Sequence, residues 1–217
     1  IKEYLRKDKN IAISGGSTPI GLFNEILNQI DKKFKIKSNF FWVDERCVDP
    51  SSTDSNFGSA NKHFLSKVNI SNNNIFRIRG EEKPEIEASN YTELLKTKTE
   101  TIKNIPSLDL CLLGIGGDGH TASIFPHELK KLSDKTDCVV GINPESGQKR
   151  VSLSIKQINN SKEVIFHVCG SGKKDIVDMI ISKRDNYLDL PASHILPKSK
   201  NLSWYLDFDS AETFMGT

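Results

Sequence analysis

Cysteine is scarce in this chain, and its scarcity narrows the reading. Only four occur in 217 residues, Cys47, Cys111, Cys138 and Cys169, and none are spaced C-x-x-C. A chain this long can bury enough surface to fold without disulfide staples. All four are expected to be free thiols, with Cys111 and Cys169 buried in apolar runs. Long hydrophobic runs are also missing. None approaches the ~20 residues that a bilayer span requires. A surplus of either charge is absent too: 30 basic against 28 acidic residues leave a formal net charge of +2. That balance speaks against a nucleic-acid or membrane partner. No secretion-like segment follows Ile1, so a cytoplasmic protein is expected. There is no internal repeat, no long linker, no H-E-x-x-H pair and no Walker A spacing. One domain over 1–217, with no metal and no cofactor, is the expectation.

What is present is an alternation of short apolar strands with helical stretches. It argues for an α/β fold with a mainly parallel sheet. Strands are expected at 10–14, 39–44, 75–78, 108–114, 138–142, 150–155 and 163–169. Two more, at 195–196 and 202–206, would close the sheet. Helices are expected at 19–30, 58–66, 84–103 (a polar, surface-type helix) and 173–182. Thr18 suits the cap of the first of these and Pro19 its first turn. Four strands run into turns rich in glycine or charge: GGST, DER, GIGGDGH and GSGK. In open α/β sheets ligands bind beyond the carboxyl ends of the strands. The four turns should therefore meet at one crevice.

Gly15 and Gly16 let backbone N–H groups approach a ligand, and the following helix aims its positive end at the same point. Ser17 and Thr18 add hydroxyls. The combination suits a phosphate or a sugar hydroxyl, although a well-capped strand-to-helix turn would look the same. Residues 114–119 match G-x-G-x-x-G, but Pro126 interrupts the helix a dinucleotide site needs, and the next strand ends in Asn143 rather than an acid. A nucleotide is not expected there.

His120 follows that turn directly. A neutral imidazole, ordinarily near pKa ~6.5, can take a proton from water. Asp118 could orient the ring or bind a substrate hydroxyl, and the N–H groups of Gly116 and Gly117 could stabilise an oxyanion. Together they outline acyl hydrolysis with neither metal nor protein nucleophile. The other histidines show no metal-like spacing, and His167 reads as a core or boundary residue.

Asp44-Glu45-Arg46 ends a strand, and three adjacent charges are expected to face crevice or solvent. Arg46 offers a planar fork for phosphate, and Asp44 an acceptor for hydroxyls. A cation opening the helix after Gly170 is unfavourable unless an anion sits there. Lys173 and Lys174 both satisfy that description.

These stretches together resemble the 6-phosphogluconolactonase family: SGGSTP, WVDERCV with a downstream DSNFG, LLGIGGDGHTASIFP, RVSLSI and VCGSGKK. The resemblance implies a Rossmann-like three-layer α/β/α sandwich with a small extra lobe, similar to sugar-phosphate isomerases and CoA transferases. It implies hydrolysis of a phosphosugar lactone, with His120 as general base. It further implies substrate-binding roles for Arg46, Lys173 and the turn Gly15–Thr18, and a phosphate contact from Arg150. Members of that family usually carry a further strand and helix before GGST, and with about ten residues ahead of the first strand a missing or shortened version of that element is the expectation here. The partner is a small molecule, and a monomer or weak homo-oligomer is expected. Glucosamine-6-phosphate deaminase resembles the chain at GGSTP and at the glycine turn. It reads D-E-Y at Asp44-Glu45-Arg46, however, and places a catalytic Glu where this chain has Phe125. A non-catalytic sugar-phosphate sensor is the other alternative; no helix-turn-helix or basic patch supports it.

Overall fold

The computed structural model describes residues 1–31 and 33–215. Strands are β1 Asn10–Ile13, β2 Asn39–Trp42, β3 Asp44–Arg46, β4 Ile75–Phe76, β5 Glu100–Ile102, β6 Ile105–Ser107, β7 Leu110–Leu113, β8 Val139–Ile142, β9 Lys149–Ser152, β10 Val164–Val168 and β11 Leu202–Leu206. Helices are α1 Lys2–Leu5, α2 Thr18–Gln29, α3 Asn56–His63, α4 Pro84–Lys98, α5 Leu129–Leu132, α6 Ile155–Ile158, α7 Lys174–Ile181 and α8 Glu212–Met215.

The central sheet has the order β11-β10-β7-β1-β2-β4, and every pairing in it is parallel. Its middle strands are buried on both faces: Ile11, Ala12 and Ile13 of β1 and Leu110 to Leu113 of β7 all lie in the core. Such strands read as unbroken apolar runs because helices cover both faces. Phe23 of α2 stacks on Phe64 at 5.1 Å. Tyr91 of α4 accepts a hydrogen bond from the Trp42 N–H at 2.8 Å, fixing that helix against the end of β2.

The expected lobe is a second, antiparallel sheet ordered β3-β9-β8. The run expected as one strand at 39–44 is in fact two. The chain leaves the central sheet after Trp42, and Asp44 begins pairing with Ser152 in the small sheet. The apolar pattern is continuous across the break, so nothing local marks it. The expected helix at 84–103 stops at Lys98 and gives way to the β5–β6 hairpin. It is also less superficial than expected, since Tyr91, Thr92 and Leu95 are buried. Residues 195–196 form no strand; Leu196 is exposed.

Candidate active site

The four turns do converge. A cleft of about 260 Å³ is lined by the turn from Ser14 to Pro19, by Asp44 and Arg46, by Gly114 to Gly116 with His120, and by Lys173; Arg150 and Asn56 complete one wall.

The GGST turn is drawn to β7 by Ser14, whose hydroxyl donates to the Leu112 carbonyl at 2.8 Å. Gly16 turns with φ +91°, in the left-handed region. The cap of α2 is Ser17 rather than the expected Thr18, with Pro19 in the first turn. The Ser17 side chain makes no capping hydrogen bond, and no acidic residue sits in the first turn. Ser17 is exposed, and it lines the cleft together with Thr18 and Pro19 at the start of α2.

The His120 loop is tightly bound. The Gly116 N–H donates to the His120 carbonyl at 2.8 Å, and the Gly119 N–H to the Gly116 carbonyl at 3.0 Å. Thr121 donates to the Gly114 carbonyl at 2.9 Å. His120 Nδ1 lies 2.6 Å from Asp118 Oδ1. With the Nδ1 proton directed at that carboxylate, Nε2 is left as the acceptor nitrogen. Burial acts to raise the Asp118 carboxyl, but hydrogen bonds from the His120 ring and backbone outweigh it and hold it below its ordinary value. Asp118 thus stays ionised beside the ring. The Gly116 N–H was expected to be a substrate donor, but it is used inside the loop. What Gly116 supplies is space: a Cβ there would lie 2.1 Å from His120 Nδ1. Gly117 and Asp118 sit at the rim, exposed, rather than in the lining.

Charges in the DER turn are distributed otherwise than expected. Asp44 and Glu45 are both buried; Asp44 and Arg46 line the cleft, and Glu45 does not. Asp44 accepts from Ser123 Oγ at 2.6 Å, and its backbone carbonyl accepts from Asn56 Nδ2 at 2.9 Å. It lines the deep wall with both carboxylate oxygens engaged, Oδ2 by Ser123 and Oδ1 by Asn56 Nδ2 at 3.4 Å. Glu45 points the other way along the strand, to the start of α3. There it accepts from the N–H groups of Asn56 at 2.7 Å and Phe57 at 2.8 Å, and from Ser55 Oγ at 3.0 Å. A carboxylate at a helix N-terminus meets both unpaired donors and the dipole. Burial nevertheless pushes the Glu45 carboxyl above its ordinary value, against the pull of those hydrogen bonds.

Arg46 and Arg150 stand opposite each other in the β3–β9 ladder. Among the described residues neither forms an ion pair with a carboxylate, and the Nε of each is buried without a partner. Burial first, then the Arg46 charge, lowers the Arg150 guanidinium below its usual value. Like charges placed directly across a ladder are unfavourable. An anion between them would reverse that cost. Lys173 faces the same cleft, and its Nζ comes within 4.0 Å of where a Cβ on Gly117 would sit. Lys174, indistinguishable in the sequence, is turned away to Glu212 Oε2 at 3.0 Å.

Asn56, Glu45, Ser55 and Ser123 were not singled out beforehand. The DSNFG motif was the available signal for Asn56 and Ser55, but it identifies no partner. Cys111 is buried as expected; Cys169 is exposed, at the strand end beside the cleft. His167 is half-buried there, and burial lowers its pKa. No group of three or more histidine, cysteine or acidic side chains suited to a metal occurs among the described residues.

Residues 2–204 match the family of glucosamine-6-phosphate isomerases/6-phosphogluconolactonase. The chain belongs to that family. Within it, the 6-phosphogluconolactonase of Treponema pallidum is 38% identical over 193 residues, covering 87% of this chain and 78% of the relative. Among solved structures, the crystal structure of devB protein superposes with a TM-score of 0.91 at 38% identity, over 97% of this chain and 90% of the other. The 6-phosphogluconolactonase of Trypanosoma brucei gives 0.79 at 31% identity, over 94% and 85%. The family's α/β architecture is thus present here, and the cleft at its strand ends is built from the five stretches that suggested it.

Proposed function

We infer that this chain is a 6-phosphogluconolactonase. It hydrolyses 6-phospho-D-glucono-1,5-lactone to 6-phospho-D-gluconate, a step of the oxidative pentose phosphate pathway. One observation carries the reading: a carboxylate-oriented imidazole and two guanidinium groups without counter-ions open onto a single small cleft. The first can activate water, and the second can hold a phosphate dianion.

In this account the phosphate lies among Arg46, Arg150 and Lys173, with the N-terminus of α2 adding partial positive charge. Ser17 and Thr18 are placed to meet sugar hydroxyls. The lactone carbonyl carbon then lies toward His120. Nε2 takes a proton from a water as the water oxygen bonds to that carbon. The carbonyl electron pair moves onto oxygen. Its return expels the ring oxygen, which takes the proton from the imidazolium, and neutral His120 is restored. Asp118 holds the ring in the tautomer that exposes Nε2 and stabilises the transient imidazolium, as the acid of a catalytic triad does. General base catalysis typically supplies about 10²–10⁴-fold, a large share of what an already labile lactone needs. Every group named comes from one chain, so a monomer suffices as the working unit. No described helix is long and apolar enough to cross a membrane.

The direct test is an assay with freshly generated 6-phosphogluconolactone, run beside glucosamine 6-phosphate. Rapid turnover of the lactone alone is expected. Deamination of the amino sugar, or binding of either compound without turnover, would overturn the assignment.

A further inference from the structure

The ring of Phe125 joins two parts of the site that the mechanism treats separately. Its centroid lies 4.8 Å from that of His120, with the planes tilted by 46°. The guanidinium carbon of Arg150 lies 5.6 Å from the same centroid. Phe125 is 1% exposed and so meets no ligand itself. Arg150, by contrast, borders the cleft opposite Arg46, with no carboxylate paired to it among the described residues. Something must hold this side chain beside a like charge. A carboxylate would hold it but would also neutralise it, and the anion pocket would lose a cation. An aromatic face attracts a guanidinium through the ring quadrupole and leaves the net charge intact.

We propose that Phe125 is a positioning residue that holds Arg150 as an un-neutralised cation for the substrate's phosphate group. The proposal rests on the reading of Arg46 and Arg150 as a phosphate site. Its test therefore uses a readout that needs no lactone: calorimetric titration of the intact protein with inorganic phosphate.

Phe125→Leu keeps an apolar side chain under His120 and removes the quadrupole. Phosphate affinity should fall by about 3- to 10-fold, as expected for loss of a partly buried cation–π contact. KM for the lactone should rise in parallel, with a smaller change in kcat. In an Arg150→Ala background the same substitution should have no further effect on phosphate binding, since the group it acts through is gone. Phenylalanines of increasing fluorine content at position 125 keep the bulk of the core and weaken the quadrupole. They should give a graded loss of phosphate affinity, and this arm does not depend on whether the leucine variant folds. A flat fluorine series, or a Phe125→Leu loss that persists without Arg150, overturns the role of Phe125 while phosphate binding by the wild type stands. Wild-type phosphate binding that is absent, or indifferent to Arg150→Ala, removes the anion site and this proposal with it.

Discussion

Replacing Gly116 with alanine would test the seat of the imidazole with a single methyl group. The added carbon would lie 2.1 Å from His120 Nδ1 and 2.6 Å from Asp118 Oδ1. Ordinary contact begins at 3.4 Å, so the ring must retreat by about 1.3 Å if the backbone holds. The backbone has reason to hold. Hydrogen bonds of 2.8 and 3.0 Å close the loop on itself, and the Ala192 N–H donates to the Gly119 carbonyl at 3.0 Å. Gly116 is not in the left-handed region, so alanine adds no backbone strain there. The damage falls on the His–Asp pair. A displacement of about 1 Å at a reacting group can cost about 100-fold, which corresponds to roughly 2.7 kcal/mol of barrier. Steady-state assays on fresh lactone should show kcat lowered by about that factor. KM should stay within about twofold, because the phosphate-holding cations sit on other elements. Wild-type kcat in a folded Gly116→Ala protein would refute the reasoning. So would a rise in KM with kcat untouched.

The remaining predictions concern charge. Lys173→Ala should raise KM by roughly tenfold, the loss of one charge-assisted contact. Lys174→Ala, whose ammonium is already paired with Glu212, should leave it unchanged; equal effects in the two kinetic assays would contradict the placement. Glu45→Gln sets an amide NH₂ against donors on every side, since each carboxylate oxygen already accepts two. The urea midpoint should fall by the equivalent of about 2–3 kcal/mol, and an unchanged midpoint would count against the capping role. Burial works to raise the Asp109 carboxyl, but the Asn10 N–H, Lys9 and Lys162 outweigh it and lower its pKa. Its contribution to stability is therefore full above the ordinary carboxylate range and is lost as pH falls through the depressed folded value. Asp109→Asn should flatten the acid limb of stability measured by denaturant melts, and superimposable limbs would refute the pairing.

How far the site could be read in advance depended on how local each signal was. The GGST and GIGGDGH turns were legible because glycine spacing and strand ends lie within a few neighbouring residues. The ladder of Arg150 against Arg46 was not legible, because it depends on a small sheet formed by segments far apart in sequence. Lys173 and Lys174 could not be told apart for a similar reason: the partner that claims Lys174 is Glu212, on the last helix. Burial of Glu45 away from the cleft ran against the expectation that the three adjacent charges face crevice or solvent, whereas Asp44, though buried, does line the cleft. Their partners, Ser123 Oγ and the N–H groups opening α3, become visible only once the chain is folded. The break between Trp42 and Asp44 was hidden because Val43, the residue at the crossing, continues the apolar run of β2. Cys169 illustrates the opposite error. Its strand is apolar, but the residue lies just past the end of β10, where the chain emerges at the cleft.

Turnover and ligand binding measured on one preparation of His120→Ala test the central claim most directly. The account predicts lactonase kcat lowered by at least about 10²-fold, with affinity for 6-phosphogluconate unchanged. Turnover close to wild type in that variant would contradict it.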